Sequence, residues 1–228
     1  MRKKDQILVL RRMEHKDNTY ILDTLAASLG RKSFVLKTGR TLPGKRHRSL
    51  SVPMQFLEIE WVGRDKWPRI VRMVPVITYK EIFRDFRKNA HGYFILENIR
   101  QLVLGNEDGQ WYKWAMAQFR LLDEDEFSGD FPLHFLADLL ERLGIAPVKT
   151  KPGGYFDIMN DTFISSPNSH TWDKEKSALF RKFLLKQPLN NAEQREIIYN
   201  LVESFLKRHF PSYHLPASLK FYNLLFDE

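Results

Sequence analysis

Ser49-Leu50-Ser51-Val52-Pro53-Met54-Gln55-Phe56-Leu57-Glu58-Ile59-Glu60-Trp61 is the stretch on which the fold turns. Its apolar residues alternate through Leu50, Val52, Met54 and Phe56, then change phase to Leu57, Ile59 and Trp61. Alternation marks a strand with one buried face, and a one-residue slip marks a bulge that bends the strand so that a sheet can curl. Shorter β-branched and aromatic runs flank it at Ile7 to Leu10, Thr19 to Leu25, Ser33 to Leu36 and Arg69 to Ile77, with Leu29-Gly30-Arg31 as a hairpin turn. Five strands within about 70 residues suit a small curled barrel of the OB type, whereas a sandwich usually needs seven or more.

Beyond Thr78 the period becomes helical. Ala90, Phe94, Ile99, Leu102 and Val103 share one face, with Gly105 as a stop, and Trp111, Trp114, Ala115, Phe119 and Leu122 form another stripe. Phe131 to Leu143 is bounded by Asp130 as N-cap, Pro132 in the first turn, Gly144 and Pro147. Gly153-Gly154-Tyr155-Phe156-Asp157 and Asp161-Thr162-Phe163-Ile164 read as a loop with a short hairpin, inserted near 148–172. Helices resume at Asp173, and Asn191 with Gln194 forms a capping box for a helix that Pro211 ends. The expected architecture is α+β in two domains, a basic five-stranded OB barrel over 1–78 and an all-α helical domain over 79–228.

The chain holds 228 residues with a formal charge of +8 and no cysteine. That excludes disulfides, thiolate nucleophiles and Cys-ligated metal sites. The first 78 residues carry 17 Lys+Arg against 7 Asp+Glu, and the remaining residues 19 against 21. No acid occurs between Asp23 and Glu58, while Arg31, Lys32, Lys37, Arg40, Lys45, Arg46 and Arg48 crowd into 18 positions. A polyanion partner follows from such a footprint, the bland alternative being a solvated basic surface. The apolar run Ile7 to Leu10 is too short for the roughly 7 residues that a signal peptide needs at minimum, and charged or polar residues interrupt every stretch before the ~20 residues of a membrane span. A cytoplasmic protein is expected.

Catalytic patterns fail one by one. Gly39-Arg40-Thr41-Leu42-Pro43-Gly44-Lys45 has the spacing of a phosphate-binding loop, but Arg46 stands where a Ser or Thr hydroxyl is needed. His47-Arg48-Ser49-Leu50-Ser51-Val52 alternates like a strand, so no following helix is expected, and residues 39–48 read as a mobile cationic loop between strands. Glu14-His15-Lys16 lacks a second convergent carboxylate for a metal nuclease. Asp123-Glu124-Asp125-Glu126 reads as a solvated helix end. The seven histidines contain no i, i+4 pair, and no Gly-x-Ser-x-Gly elbow is present. No catalytic residue, metal or other cofactor is expected. Trp111, Tyr112, Trp114 and Phe119 have the spacing of a core stripe, whereas Phe34, Trp61 and Trp67 lie among the barrel's cations, some of them filling its interior.

Three stretches resemble the RecO family of bacterial DNA repair and recombination mediators. The first runs from Ile7-Leu8-Val9-Leu10-Arg11 through Tyr20-Ile21-Leu22, Leu29-Gly30-Arg31 and Val35-Leu36-Lys37-Thr38-Gly39-Arg40 to Phe56-Leu57-Glu58-Ile59-Glu60. The second is the apolar helix from Phe135 to Pro147, and the third spans Ile197 to Phe226 with its His-Phe-Pro break. Many RecO proteins carry a four-cysteine zinc site after the second stretch. This cysteine-free chain resembles the metal-free branch.

The resemblance implies a non-enzymatic protein of the bacterial cytoplasm, associated with the nucleoid, that binds single- and double-stranded DNA and anneals complementary strands. With RecR it would help RecA displace single-stranded DNA-binding protein, whose C-terminal tail it would engage, with RecF and RecA reached indirectly. The expected DNA contacts are Arg11, Arg12, Lys16, Arg31, Lys37, Arg40, Lys45, Arg46 and Arg48, and the −2 helical part would serve proteins. An RNA-binding OB protein and a protein-interaction scaffold without nucleic-acid activity are the alternatives, separable by strand competition and by salt sensitivity.

Overall fold

The computed structural model describes residues 2–39, 41–63, 67–103, 109–124, 129–149 and 152–219. Its contacts divide the chain into two compact units, Met1–Asp125 and Glu126–Glu228. The change from strand to helical period at residue 78 therefore lies inside the first unit, because two helices pack onto the barrel.

The first unit is built on β1 (Lys3–Lys16), β2 (Thr19–Ala26), β3 (Gly30–Lys37), β4 (Phe56–Val62) and β5 (Arg69–Pro75), closed in the order β1-β2-β3-β5-β4. All neighbours are antiparallel except β3 and β5, which pair in parallel at Val35↔Arg69 and Leu36↔Ile70. This is the expected five-stranded OB-type barrel. Its lumen is filled by Ile7, Val9, Tyr20, Leu22, Phe34, Leu36, Leu57, Ile59, Trp61, Ile70 and Met73, alternate residues along β1 to β4, with one extra residue between Ile70 and Met73 on β5 where the pairing slips. Phe34 and Trp61 thus belong to the interior, edge to face at 5.8 Å, while Trp67 is 45% exposed. The β2–β3 turn is Ala27-Ser28-Leu29, and Gly30 opens β3 with φ 61°, a conformation that suits glycine.

Two expectations are corrected. Residues 49–55 are not strand: β4 begins at Phe56, and the irregularity in its pairing falls between Glu60 and Trp61. Nor is 39–48 a strand-to-strand loop, because Leu42–Leu50 forms helix α1. Thr41 has extended backbone geometry and its hydroxyl accepts from the Gly44 N–H at 3.4 Å, while Pro43 occupies the first turn; both are helix-start chemistry. Leu50 packs against the lumen residues. Gly44 is required by contact, since a Cβ there would lie 2.4 Å from the backbone nitrogen of Gly39.

Helices α2 (Phe86–Leu102) and α3 (Gln110–Leu122) cover part of the barrel's outside. Leu8 and Phe56 pair across β1 and β4 and face away from the lumen, yet both are fully buried. The Phe56 ring meets Tyr112 at 5.5 Å and Phe119 at 5.6 Å. Double coverage explains why Ile7 to Leu10 is a continuous apolar run. Asp85 caps α2 by accepting from the Arg87 and Lys88 N–H groups. Asp123, expected in a solvated acidic run, instead accepts from the N–H groups of Lys80, Glu81 and Ile82 at 2.8–2.9 Å; Asp125 and Glu126 lie outside the described residues, as do Gly105 and Phe221 to Phe226.

The second unit contains α4 (Phe131–Arg142), the hairpin β6 (Tyr155–Asp157) and β7 (Thr162–Ile164), α5 (Lys174–Leu184) and α6 (Ala192–His209). Asn191 caps α6, its Oδ1 accepting from the Gln194 N–H, while Gln194 Oε1 reaches one residue past the expected partner and accepts from the Asn190 N–H. Phe156 stands at the centre of an aromatic core, with Phe163, Trp172, Phe180 and Phe205 at 4.8–6.0 Å.

The hairpin segment offers no thiolate to a metal and is organised by hydrogen bonds. Asp157, 2% exposed, accepts from the N–H of Met159 and Asn160 and from the side-chain amides of Asn160 and Asn168, at 2.8–3.2 Å. Arg181 donates to Lys149 O and Gly153 O and lies 3.8 Å over the Phe163 ring, while Arg208 donates to Ile158 O and pairs with Asp161.

Candidate nucleic-acid interface

The outer face of β1, β2 and β3 carries a half-buried apolar row, Met13↔Ile21↔Val35, which continues to exposed Arg69 on β5. The row nearer the β1–β2 turn is Lys16↔Thr19↔Lys37, with both lysines exposed. On its other side Arg11 is paired with Asp23. At the same end as Lys16, the His15 ring meets Trp67 edge to face at 6.4 Å. Trp67 precedes β5, so the β1–β2 and β4–β5 connections come together beside this face. An exposed aromatic among cations can stack on a base while the lysines neutralise phosphates.

The second cationic element is α1, where Lys45, Arg46 and Arg48 are all exposed. Arg12, on β1, donates from Nη1 to Arg48 O at 2.9 Å and to Ser51 Oγ at 3.3 Å. The guanidinium groups of Arg12 and Arg48 lie 5.1 and 5.9 Å from the Tyr20 ring centre. The ring's negative face tolerates two neighbouring cations. The imidazole of His47, between Arg46 and Arg48, is held below its ordinary pKa, by burial first and by the Arg46 charge second. Among the described residues, Lys16, Lys37, Lys45, Arg46 and Arg48 form no ion pair with a carboxylate.

Arg31 differs from the other candidates. Its Nε and Nη2 donate to the Asp23 carboxylate at 3.2 and 2.8 Å, and its Nη1 donates to Arg100 O in the last turn of α2 at 2.5 Å. It joins the β2–β3 hairpin to the helix, and its charge is matched. Arg40 lies outside the described residues.

Strand register reveals cations that charge counting passed over. Lys4↔Glu60↔Arg72 form one row across β1, β4 and β5. Their signal was in the sequence as basic residues two or three apart in Arg2-Lys3-Lys4 and in Arg69-Ile70-Val71-Arg72. The phosphate-loop likeness at 39–45 fails for a reason different from the expected one. A helix does form, but Gly44 and Lys45 lie within it, and their N–H groups are already bonded to Thr41.

No protein-family model matches the chain. Among curated proteins, 164 residues are 26% identical to a protein of Phocaeicola vulgatus, covering 69% of this chain and 68% of that one. That relative is a DNA repair protein RecO. The similarity to RecO agrees with the likeness carried by the three sequence stretches, and a closed five-stranded barrel followed by helices is the architecture that a RecO-like chain calls for. Among the described residues no helix is long and apolar enough to cross a membrane.

Proposed function

We propose that this chain acts in DNA repair as a mediator of the RecO type in the bacterial cytoplasm. It binds single- and double-stranded DNA through the outer face of β1–β2–β3 and through α1, anneals complementary strands and, with RecR, helps RecA displace single-stranded DNA-binding protein. The carrying observation is the acid-free stretch from Thr24 to Leu57, which brings Lys37, Lys45, Arg46 and Arg48 onto a barrel whose exposed Trp67 meets His15, the neighbour of Lys16 in β1.

The mechanism is electrostatic. Cations that neutralise phosphates release condensed counterions, which gives affinity without sequence readout. Masking phosphate repulsion lets two strands approach while Trp67 and the apolar row hold bases only by their faces, leaving hydrogen-bonding edges free to pair. Arg11, Arg12, Lys16, Lys37, Arg40, Lys45, Arg46 and Arg48 are the proposed contacts, with Arg31 holding the barrel to α2.

Complementary oligonucleotides coated with the cognate single-stranded DNA-binding protein test this reading, without ATP or metal, at two salt concentrations. The chain should accelerate duplex formation, and less so at the higher salt. If neither coated nor bare strands anneal faster, the reading fails; preference for RNA over matched DNA would instead favour an RNA-binding barrel.

A further inference from the structure

Beyond the part that α3 covers, the outer face of β1, β4 and β5 has so far been given no role. Glu60 sits in its middle with its side chain 13% exposed, and three cations converge on that one carboxylate: Arg2 at 3.7 Å, Lys4 at 3.8 Å and Arg72 at 3.5 Å. The cations themselves are open to solvent, with side chains 74%, 68% and 66% exposed. Exposed Arg69, paired with Val62 in a neighbouring row, adds a fourth cation, and among the described residues Glu58, two residues from Glu60 on the same face, is the remaining acid there. Four cations thus face two carboxylates. A single carboxylate cannot satisfy three cations, so the cluster is pre-assembled with charge to spare.

The cluster occupies the open part of its face. The covered part is the row Leu8↔Phe56, beneath α3, and the next row, Gln6↔Glu58, leads away from it to Lys4↔Glu60. Strand geometry spaces the cations: Arg2 and Lys4 are two residues apart on β1, and Arg72 stands two strands across. Adjacent strands lie about 4.8 Å apart and alternate residues about 6.8 Å apart, which matches the scale of successive phosphates on an extended strand. Lys3, pointing the other way, lies 5.0 Å over the Trp61 ring at the barrel mouth.

We propose that this face is a second polyanion-binding surface, centred on Arg2, Lys4 and Arg72, that takes a second nucleic-acid strand while β1–β2–β3 and α1 hold the first. The inference rests on the DNA-binding reading above and adds a division of labour: the first surface sets affinity for one strand, and the second sets capture of its partner. Glu60 has a dual role, aligning the three cations and competing with phosphate for them.

The test uses the full chain carrying R2Q, K4Q and R72Q together, and separately E60Q. Anisotropy measures binding of a first labelled oligonucleotide, and energy transfer to a second, non-complementary labelled oligonucleotide measures capture; annealing of complementary strands is followed in parallel. The triple variant should bind the first strand like the wild type but lose second-strand capture by about tenfold or more, with annealing slowed alongside. The log–log salt slope of capture should become shallower by about 2. E60Q should capture the second strand more tightly than the wild type. The three replaced cations are exposed and E60Q keeps the shape of the Glu60 side chain, and first-strand binding also reports that each variant is folded. A triple variant that captures and anneals like the wild type overturns the second surface, as does a wild type that binds one strand but never two, and in both cases the first reading stands. A wild type that binds no strand overturns both.

Discussion

Arg31 and Arg48 look alike in the sequence and are opposites in the structure. Arg31 spends its guanidinium on Asp23 and on the end of α2, whereas Arg48 lies exposed beside a tyrosine ring with no carboxylate partner among the described residues. Replacing Arg31 by Ala should cost about 2 kcal/mol of stability in the first unit, since a partly buried carboxylate and a helix carbonyl lose their donor. Thermal unfolding checks this, and DNA affinity should fall little at a temperature where the variant is folded. Replacing Arg40, Lys45, Arg46 and Arg48 by Ala should do the reverse. Stability should change little, while the log–log salt slope of single-strand binding flattens by about 3 for about four lost contacts. A slope unchanged in a titration against oligonucleotide would remove α1 from the interface. Charge counting reads the cations but not their partners: Asp23 stands eight positions from Arg31 and meets it only because the β2–β3 hairpin folds back.

Helix α1 shows how an element with plain start signals can stay hidden. Thr41 and Pro43 announce a helix, but Gly44 lies within it and Leu42 is 82% exposed, so no apolar stripe marks the helical period. Of its apolar residues Leu50 packs against the barrel core, and Leu50 happens to sit in phase with Val52 and Met54, which made the segment look like strand. Where both local signal and periodicity exist, as at Asn191 with α6 or Pro132 with α4, the start of the element was legible, although the Asp130 side chain bonds Arg195 and does not cap α4. The β6–β7 hairpin was legible too, but not its anchor, because Asn160 meets Asp157 through the turn and Asn168 only where the chain after β7 folds back. Hydrogen bonds from Asn160 and Asn168 are the main cause that holds the Asp157 carboxyl at about 2, below its ordinary 3.8. A carboxyl depressed in the folded state contributes its stabilisation above the unfolded value and loses it as pH falls from about 4 through 2. Asp157→Asn should therefore destabilise the second unit at neutral pH, by about 2 kcal/mol on the linkage scale. It should also flatten the acid limb between pH 4 and 2, measured by near-ultraviolet circular dichroism of the Phe156–Trp172 core.

At the scale of the molecule, the barrel was readable because four of its strands announce themselves by alternation or continuous burial, although its strand order is not that of a simple meander, since β1 pairs with β4 and β3 joins β5 in parallel. The division of the chain was less so. Period changes at residue 78, but compactness divides at Asp125 and Glu126, since α2 and α3 bury the outer faces of Leu8 and Phe56 and so belong with the strands they cover. Charge was legible as a total for the first third of the chain, but its separation into a β1–β2–β3 face, a helix and a β1–β4–β5 face is a property of register, which a linear count does not contain.

The barrel is also closed unevenly. β1 and β2 are paired over eight residue pairs, β3 and β5 over two. The β1–β2–β3 and β4–β5 parts can each assemble from contacts between sequence neighbours, but closing the ring needs the long-range β1–β4 pairing as well as the short parallel join of Val35 to Arg69, and long-range pairing forms slowly. Closure should therefore be the late step of refolding and the first to reverse in the native state. In native-state hydrogen exchange, the amide of Val35, bonded to Pro68 O, should exchange through a lower-energy opening than those of Leu8 and Leu22, which lie in the long antiparallel pairs. Equal protection across all three would mean that the barrel opens only by unfolding as a whole. A short seam beside Trp67 and Arg69 makes the ring a clasp, able to part locally at the place where a strand of nucleic acid would lie, without giving up the rest of its core.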